Sequence, residues 1–269
     1  MEEMGDDEVL ALVVSLGLGG WGALGWYLNG LRTSQLGEKR GARLLLMLLP
    51  PIALYALWHV LAVDAAADVR NDGRYQFLFL AMGSIWVFLL PRALSFIGIS
   101  FRDDALERRN AAASFAIAGT LGGLAALFAG SNMGEGPTIW DTVETALAAT
   151  AILYASVFVL ALVTSVGDTI AVERDAAAGL RFAGWALGSG LVLGAASAGD
   201  WVSDEAMIRD LFVYGWPVFA LLVVAVAVEL AFRPRASAPR PSALATGVVP
   251  AVLYLVVSLA YVSSLRSAG

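Results

Sequence analysis

The sequence contains no cysteine, a single histidine (His59) and a single lysine (Lys39) among 269 residues. The first absence excludes a disulfide framework, a thiolate metal site and a cysteine nucleophile. The second leaves a zinc site only carboxylates to recruit, whereas such sites take three or four N, S or O ligands. Charge is scarce too: charged residues make up 15% and hydrophobic residues 59%, with a mean hydropathy of +0.74. Soluble domains run nearer about 45–50% apolar and about 25% charged. These proportions speak against a water-soluble enzyme of this length. Intrinsic disorder is excluded, because apolar side chains this abundant must be buried in something.

What the chain does have is long apolar sequence. A membrane-crossing helix takes roughly 20 mostly apolar residues. Eight stretches qualify, at 9–31, 42–63, 76–99, 110–131, 143–166, 176–198, 211–232 and 243–263. Membrane strands are shorter, about 9–11 residues, and alternate in polarity. The expected fold is therefore all-α: one polytopic transmembrane helical bundle of eight spans, with no soluble domain attached. Glu2, Glu3, Asp6, Asp7 and Glu8 precede the first span. A cleavable signal peptide would carry a basic segment there.

Basic residues orient the bundle. Of 17 Lys and Arg, 13 fall on the side that carries loops 1–2, 3–4, 5–6 and 7–8. That side is expected to be cytoplasmic, which puts both termini outside an inner (plasma) membrane. The cytoplasmic face then nets +5 and the outer face −11. The basic face should attract anionic lipid. The single Lys, the many Ala and the acidic exterior fit a GC-rich or salt-adapted prokaryote.

An internal repeat underlies this pattern. Span 2 opens Lys39-Arg40-Gly41-Ala42-Arg43, span 4 Glu107-Arg108-Arg109-Asn110-Ala111, span 6 Glu173-Arg174-Asp175-Ala176-Ala177 and span 8 Arg240-Pro241-Ser242-Ala243. Aligned on Arg40, Arg109, Arg174 and Arg240, these openings recur at nearly equal intervals. The unit is a helical hairpin. Four hairpins of the same orientation are expected, over 9–63, 76–131, 143–198 and 211–263. Asn110 and Asp175 suit the helix start as caps. Gly119, Gly122 and Gly123 in span 4, with Gly184 and Gly188 in span 6, suit close helix packing in lipid. Spans 4 and 6 are therefore expected to be central and in contact.

The stretches 107–123, ERRNAAASFAIAGTLGG, and 173–184, ERDAAAGLRFAG, resemble the repeated motif of the YjfL-like bacterial inner-membrane proteins, domain of unknown function 350. The resemblance covers about residues 76–198. Asp175 stands where that motif usually has Asn, Arg181 sits among residues more often neutral or acidic, and four further spans flank the matching unit. The resemblance implies an integral inner-membrane protein without an agreed activity, with a role in membrane maintenance or transport.

Ionisable residues inside spans are costly and mark candidate sites. Arg181 could pair with Asp168 or Glu229 to lock an inner vestibule. Against this stands snorkelling of the long Arg side chain to the interface, the reading preferred for Arg92. Asp141, Glu144 and Asp200 could form an acidic outer mouth that concentrates cations. The plainer reading of these is a solvated rim beside an aromatic belt. His59 reads as a packed residue rather than a ligand. Pro50-Pro51, Pro91 and Pro217 are expected to interrupt spans. Retinal binding lacks a Lys within a helix, serine hydrolysis lacks a Ser–His pair, nucleotide binding lacks a Walker A motif, and haem lacks a ligand pair. The expectation is a protein with no catalytic residues, no cofactor, no metal and no nucleic-acid partner. Membrane lipids, a membrane-protein partner or a second copy are its expected neighbours. It would permit passage of a small solute or cation through the Gly/Ala-rich core. The alternative is a non-catalytic scaffold that docks a partner, or itself, through helix faces.

Overall fold

The computed structural model describes residues 4–33, 41–233 and 242–268. Lys39, Arg40, Arg235 and Arg240, all placed in loops by the sequence, lie outside these residues. Every regular element among the described residues is helical. Helices α1 (Asp6–Arg32), α2 (Gly41–Val63), α3 (Ala67–Asn71), α4 (Gly73–Phe88), α5 (Ala111–Ser131) and α6 (Ile139–Thr164) come first. Then follow α7 (Val166–Ala171), α8 (Ala176–Ala196), α9 (Asp204–Val213), α10 (Pro217–Phe232) and α11 (Val249–Ala268). Among the described residues, seven helices are long and apolar enough to cross a membrane: α1, α2, α4 with its extension to Ile97, α5, α6, α8 and α11 with its preceding turn. The pair α9–α10, bent by 44°, makes an eighth if taken as one span.

Prolines act differently from place to place. Pro50 and Pro51 sit inside α2, which continues through them. Pro91 lacks the N–H that an α-helix needs, and after Phe88 the chain tightens into a 3-10 helix over Leu90–Ile97. Pro217 opens α10, where a missing N–H costs nothing.

The repeat is written into the backbone. Asn110 Oδ1 accepts from the amides of Ala112 (3.0 Å) and Ala113 (3.4 Å) at the start of α5. Asp175 Oδ1 accepts from Ala177 (3.0 Å) at the start of α8. Each cap follows an arginine with left-handed backbone, Arg109 (φ 52°) and Arg174 (φ 56°). Each cap's own N–H closes the preceding turn, onto Asp104 O (2.9 Å) and Thr169 O (3.1 Å). The interval from Arg109 to Arg174 is also the interval from Asn110 to Asp175 and from Asp104 to Thr169. Helices α5 and α8 are each 21 residues long. Before α11, the Ser242 hydroxyl accepts from Ala245 N at 3.2 Å, a comparable helix-start hydrogen bond. A π-helical turn over Leu244–Val248 then leads into α11; such a turn inserts an extra residue into the helix.

Among the described residues, helices α5 and α8 share the most extensive contact. Gly179 faces Ala112, Gly119 faces Ala183, and Gly130 faces Gly194. Residue numbers rise together along this seam, so the two helices run parallel. A Cβ added at Gly123 would lie 2.5 Å from Ala186 O, and one at Gly194 2.5 Å from Ala126 O. No residue larger than glycine fits without moving backbone. Gly184 and Gly188, by contrast, face Ala251 and Ser258 of α11. The face that α5 presents to α8 is thus the face that α8 presents to α11. Close backbone approach supplies dispersion contacts where lipid supplies no hydrophobic force between helices.

Polar ties mark one end of the bundle. Tyr75 donates to Glu8 (2.9 Å), Trp140 to Asp7 (3.2 Å), and Arg70 to Val63 O (3.3 Å). The loops after α5 and α8 join through Glu135 N to Asp200 Oδ1 (2.8 Å) and Trp201 N to Glu135 O (2.7 Å). This end therefore holds the beginnings of α1, α4 and α6 and the ends of α2, α5 and α8. At the opposite end Trp26 stacks on Phe101 (centroids 3.8 Å apart) and donates to Leu46 O (2.9 Å).

Candidate functional site

Two features carry chemistry: a buried ion pair near the beginning of α8 and a groove near its end. Arg181 is 1% exposed and Glu229, on α10, is 6% exposed. The guanidinium grips the carboxylate through both oxygens, Nε to Oε1 and Nη2 to Oε2, each at 2.7 Å. Its third arm, Nη1, donates to Thr246 O at 2.7 Å in the π-helical turn before α11. The Phe232 ring lies 5.7 Å away. One arginine thereby ties α8, α10 and α11. The carbonyl is accounted for because a π-helical turn displaces backbone acceptors from their usual donors. The equivalent position on α5, one repeat earlier, is Ala116. The ion pair is therefore specific to the second copy of the repeat. Asp168, the other sequence candidate, is exposed on α7 and takes no part in this pair.

Arg92 does not simply snorkel. Its Nη2 donates to Gly22 O at 2.8 Å, and its guanidinium stands 5.7 Å from the Trp21 ring. The close approach of α1 and α4 explains this: a Cβ at Gly25 would meet Arg92 Nη2 at 3.0 Å.

The three carboxylates of the expected outer mouth have other employment or none. Asp141, in the first turn of α6, reaches back to the N-cap residue and accepts from Thr138 N (2.7 Å) and Thr138 Oγ1 (3.0 Å). Asp200 holds the loop after α5, while Glu144 is exposed. Among the described residues no group of three or more His, Asp or Glu side chains could hold a metal ion. His59, expected to be a packed residue, is instead exposed on α2.

The groove lies among α2, α5, α8 and α11 and encloses about 940 Å³. Its walls are Leu49, Ala53, Leu57 and Val60 of α2, Ala126, Ala129 and Gly130 of α5, and Leu191, Gly194 and Ala195 of α8. Val262, Leu265 and Arg266 of α11 complete it. Lining positions come in pairs separated by the repeat interval: Ala126 and Leu191, Ala129 and Gly194, Gly130 and Ala195, Met133 and Ala198. The same face of each repeated helix looks into the same space. Its lower limit is Leu49 and Gly122, about half-way along α2 and α5. Charge enters only at the other end, through Asp200, Asp210 and Arg266, with Tyr214 beside them. Clefts of roughly 300–1,000 Å³ with mostly apolar walls and a few polar groups suit small-molecule ligands.

The sequence pointed to contact between spans 4 and 6, without placing Gly184 and Gly188, and did not point to the groove. Its available signal was the recurrence, one repeat apart, of small residues beside the seam, Gly130 and Gly194 serving both. No family model, no curated protein and no solved structure matches this chain.

Proposed function

We propose that the chain is a non-catalytic, multi-pass protein of the cytoplasmic membrane that takes an apolar or amphiphilic small molecule from the outer half of the bilayer. In this reading α9–α10 forms the seventh of eight spans, the four hairpins share one orientation, and both termini lie outside. The excess of arginine in the loops at the Phe101 end supports that orientation. The observation that carries the functional reading is the groove itself. It is walled by equivalent faces of the repeated helices and is apolar along most of its depth. Lipids are then both the solvent and the source of the ligand.

Passage of a small cation through the Gly/Ala core has less support. The α5–α8 seam leaves no room for even a methyl group at Gly123 or Gly194, and Arg181 and Glu229 neutralise each other. A docking scaffold also has less support, because exposed apolar faces on α1, α2 and α11 are what contact with lipid requires.

The lack of cysteine makes the test direct. A nitroxide attached to Ala195→Cys in a reconstituted bilayer reports which collision partners enter the groove. Frequent encounters with molecular oxygen and few with a water-soluble nickel chelate are expected. Dominant nickel encounters would refute the reading in favour of an aqueous cation route. Few encounters with either would mean a closed interior.

A further inference from the structure

We propose that the groove's ligand is a zwitterionic phospholipid of the outer leaflet, held with its chains among the small side chains and its headgroup at the charged mouth. The inference rests on the ligand-binding reading above and adds the chemical class.

The first ground is a gradient of polarity along the groove. Leu49, Ile52, Gly122 and Leu191 line its depth, whereas Asp200, Asp210, Tyr214 and Arg266 line its mouth. All four mouth residues lie at or beyond helix ends, Arg266 in the last turn of α11 and Tyr214 closing α9. An apolar shaft with charge at one end is the complement of an amphiphile whose head sits at the interface.

The second ground is the state of the mouth charges. Arg266 Nη2 lies 3.9 Å from the Met133 sulfur, and among the described residues no carboxylate pairs with it. A phosphate diester is an anion whose geometry a fork of guanidinium donors matches. The Asp210 carboxylate pairs with its neighbour Arg209 at 3.4 Å, in an exposed pair. One oxygen of Asp200 accepts from Glu135 N, leaving its other oxygen available. An ammonium group beyond the phosphate would find these two carboxylates.

The third ground is the wider field. The outer face as assigned carries 15 acidic and 4 basic residues. An anionic headgroup would be repelled there, and a neutral diacylglycerol would leave Arg266 unanswered.

Photo-crosslinking tests the assignment. The full chain is reconstituted in nanodiscs containing a diazirine-acyl phosphatidylethanolamine, phosphatidylglycerol or diacylglycerol in turn. Adducts are mapped to peptides of α5 and α8 for the groove and of α1 for annular lipid. Groove adducts are expected with phosphatidylethanolamine, at about tenfold the yield of the other two. Arg266→Glu should remove that preference and Asp210→Asn should weaken it, with annular adducts on α1 unchanged. Equal groove labelling by all three lipids, or an unaltered preference in Arg266→Glu, would overturn the headgroup assignment while leaving the groove a lipid site. Adducts on α1 with none on α5 and α8 would overturn both readings. Because Arg266 is exposed in the last turn of α11, loss of fold is not expected; a thermal melt of each variant checks this.

Discussion

Removing either partner of the Arg181–Glu229 pair should destabilise the protein severely, and removing both should cost less than the two losses combined. Arg181 is 1% and Glu229 6% exposed, so truncating one strands the other's charge in a low-dielectric interior. Breaking such a pair costs about 3–5 kcal/mol. The bidentate geometry, with both N···O distances at 2.7 Å, places the pair at the strong end of charge-assisted hydrogen bonds. The double variant Arg181→Leu/Glu229→Leu strands no charge, but it still orphans Thr246 O, which Arg181 Nη1 serves at 2.7 Å. An unsatisfied buried carbonyl costs roughly 1–3 kcal/mol. The double variant should therefore remain below wild type, while the cycle returns a coupling of at least about 3 kcal/mol. Reversible unfolding in mixed micelles with increasing dodecyl sulfate measures all four proteins. Additive losses would refute the reasoning, and full recovery in the double variant would refute the role given to Thr246.

Gly123→Ala should cost about 1–3 kcal/mol through overpacking, since its methyl would meet Ala186 O at 2.5 Å, whereas Gly20→Ala has nothing within 4 Å and should be near neutral. Thermal melts in detergent distinguish them, and equal effects would contradict the seam. Asp72 caps α4 and binds Arg74, whose hydrogen bonds hold its carboxyl below the ordinary 3.8. The folded-state value is the lower one, so this contribution is complete above the unfolded value and is lost as pH falls from there through the folded one. Asp72→Asn should thus lessen the fall in melting temperature as the pH drops below about 3.8; an unchanged acid slope would count against it.

Much of the local structure was legible along the chain. Uninterrupted apolar runs fixed the positions of the long helices, since a helix is the open-chain structure that satisfies its own backbone in lipid. Asn110 and Asp175 announced helix starts by side-chain chemistry alone, and the glycines of spans 4 and 6 announced a close seam. The sequence could nominate Arg181 for a partner but could not choose between Asp168 and Glu229. That choice depends on which face α10 turns toward α8. Nor could it show that Pro91 tightens the chain while Pro50 and Pro51 leave α2 continuous, because neighbouring packing determines whether a lost hydrogen bond ends a helix. Gly184 and Gly188 read as part of the α5 contact, yet they receive α11. The groove was further from reach still. It arises from the placement of four helices whose small residues, one repeat apart in two of them, come to face one space. Sequence specifies the faces each helix possesses, and only their tertiary arrangement decides which are pressed together and which are left apart.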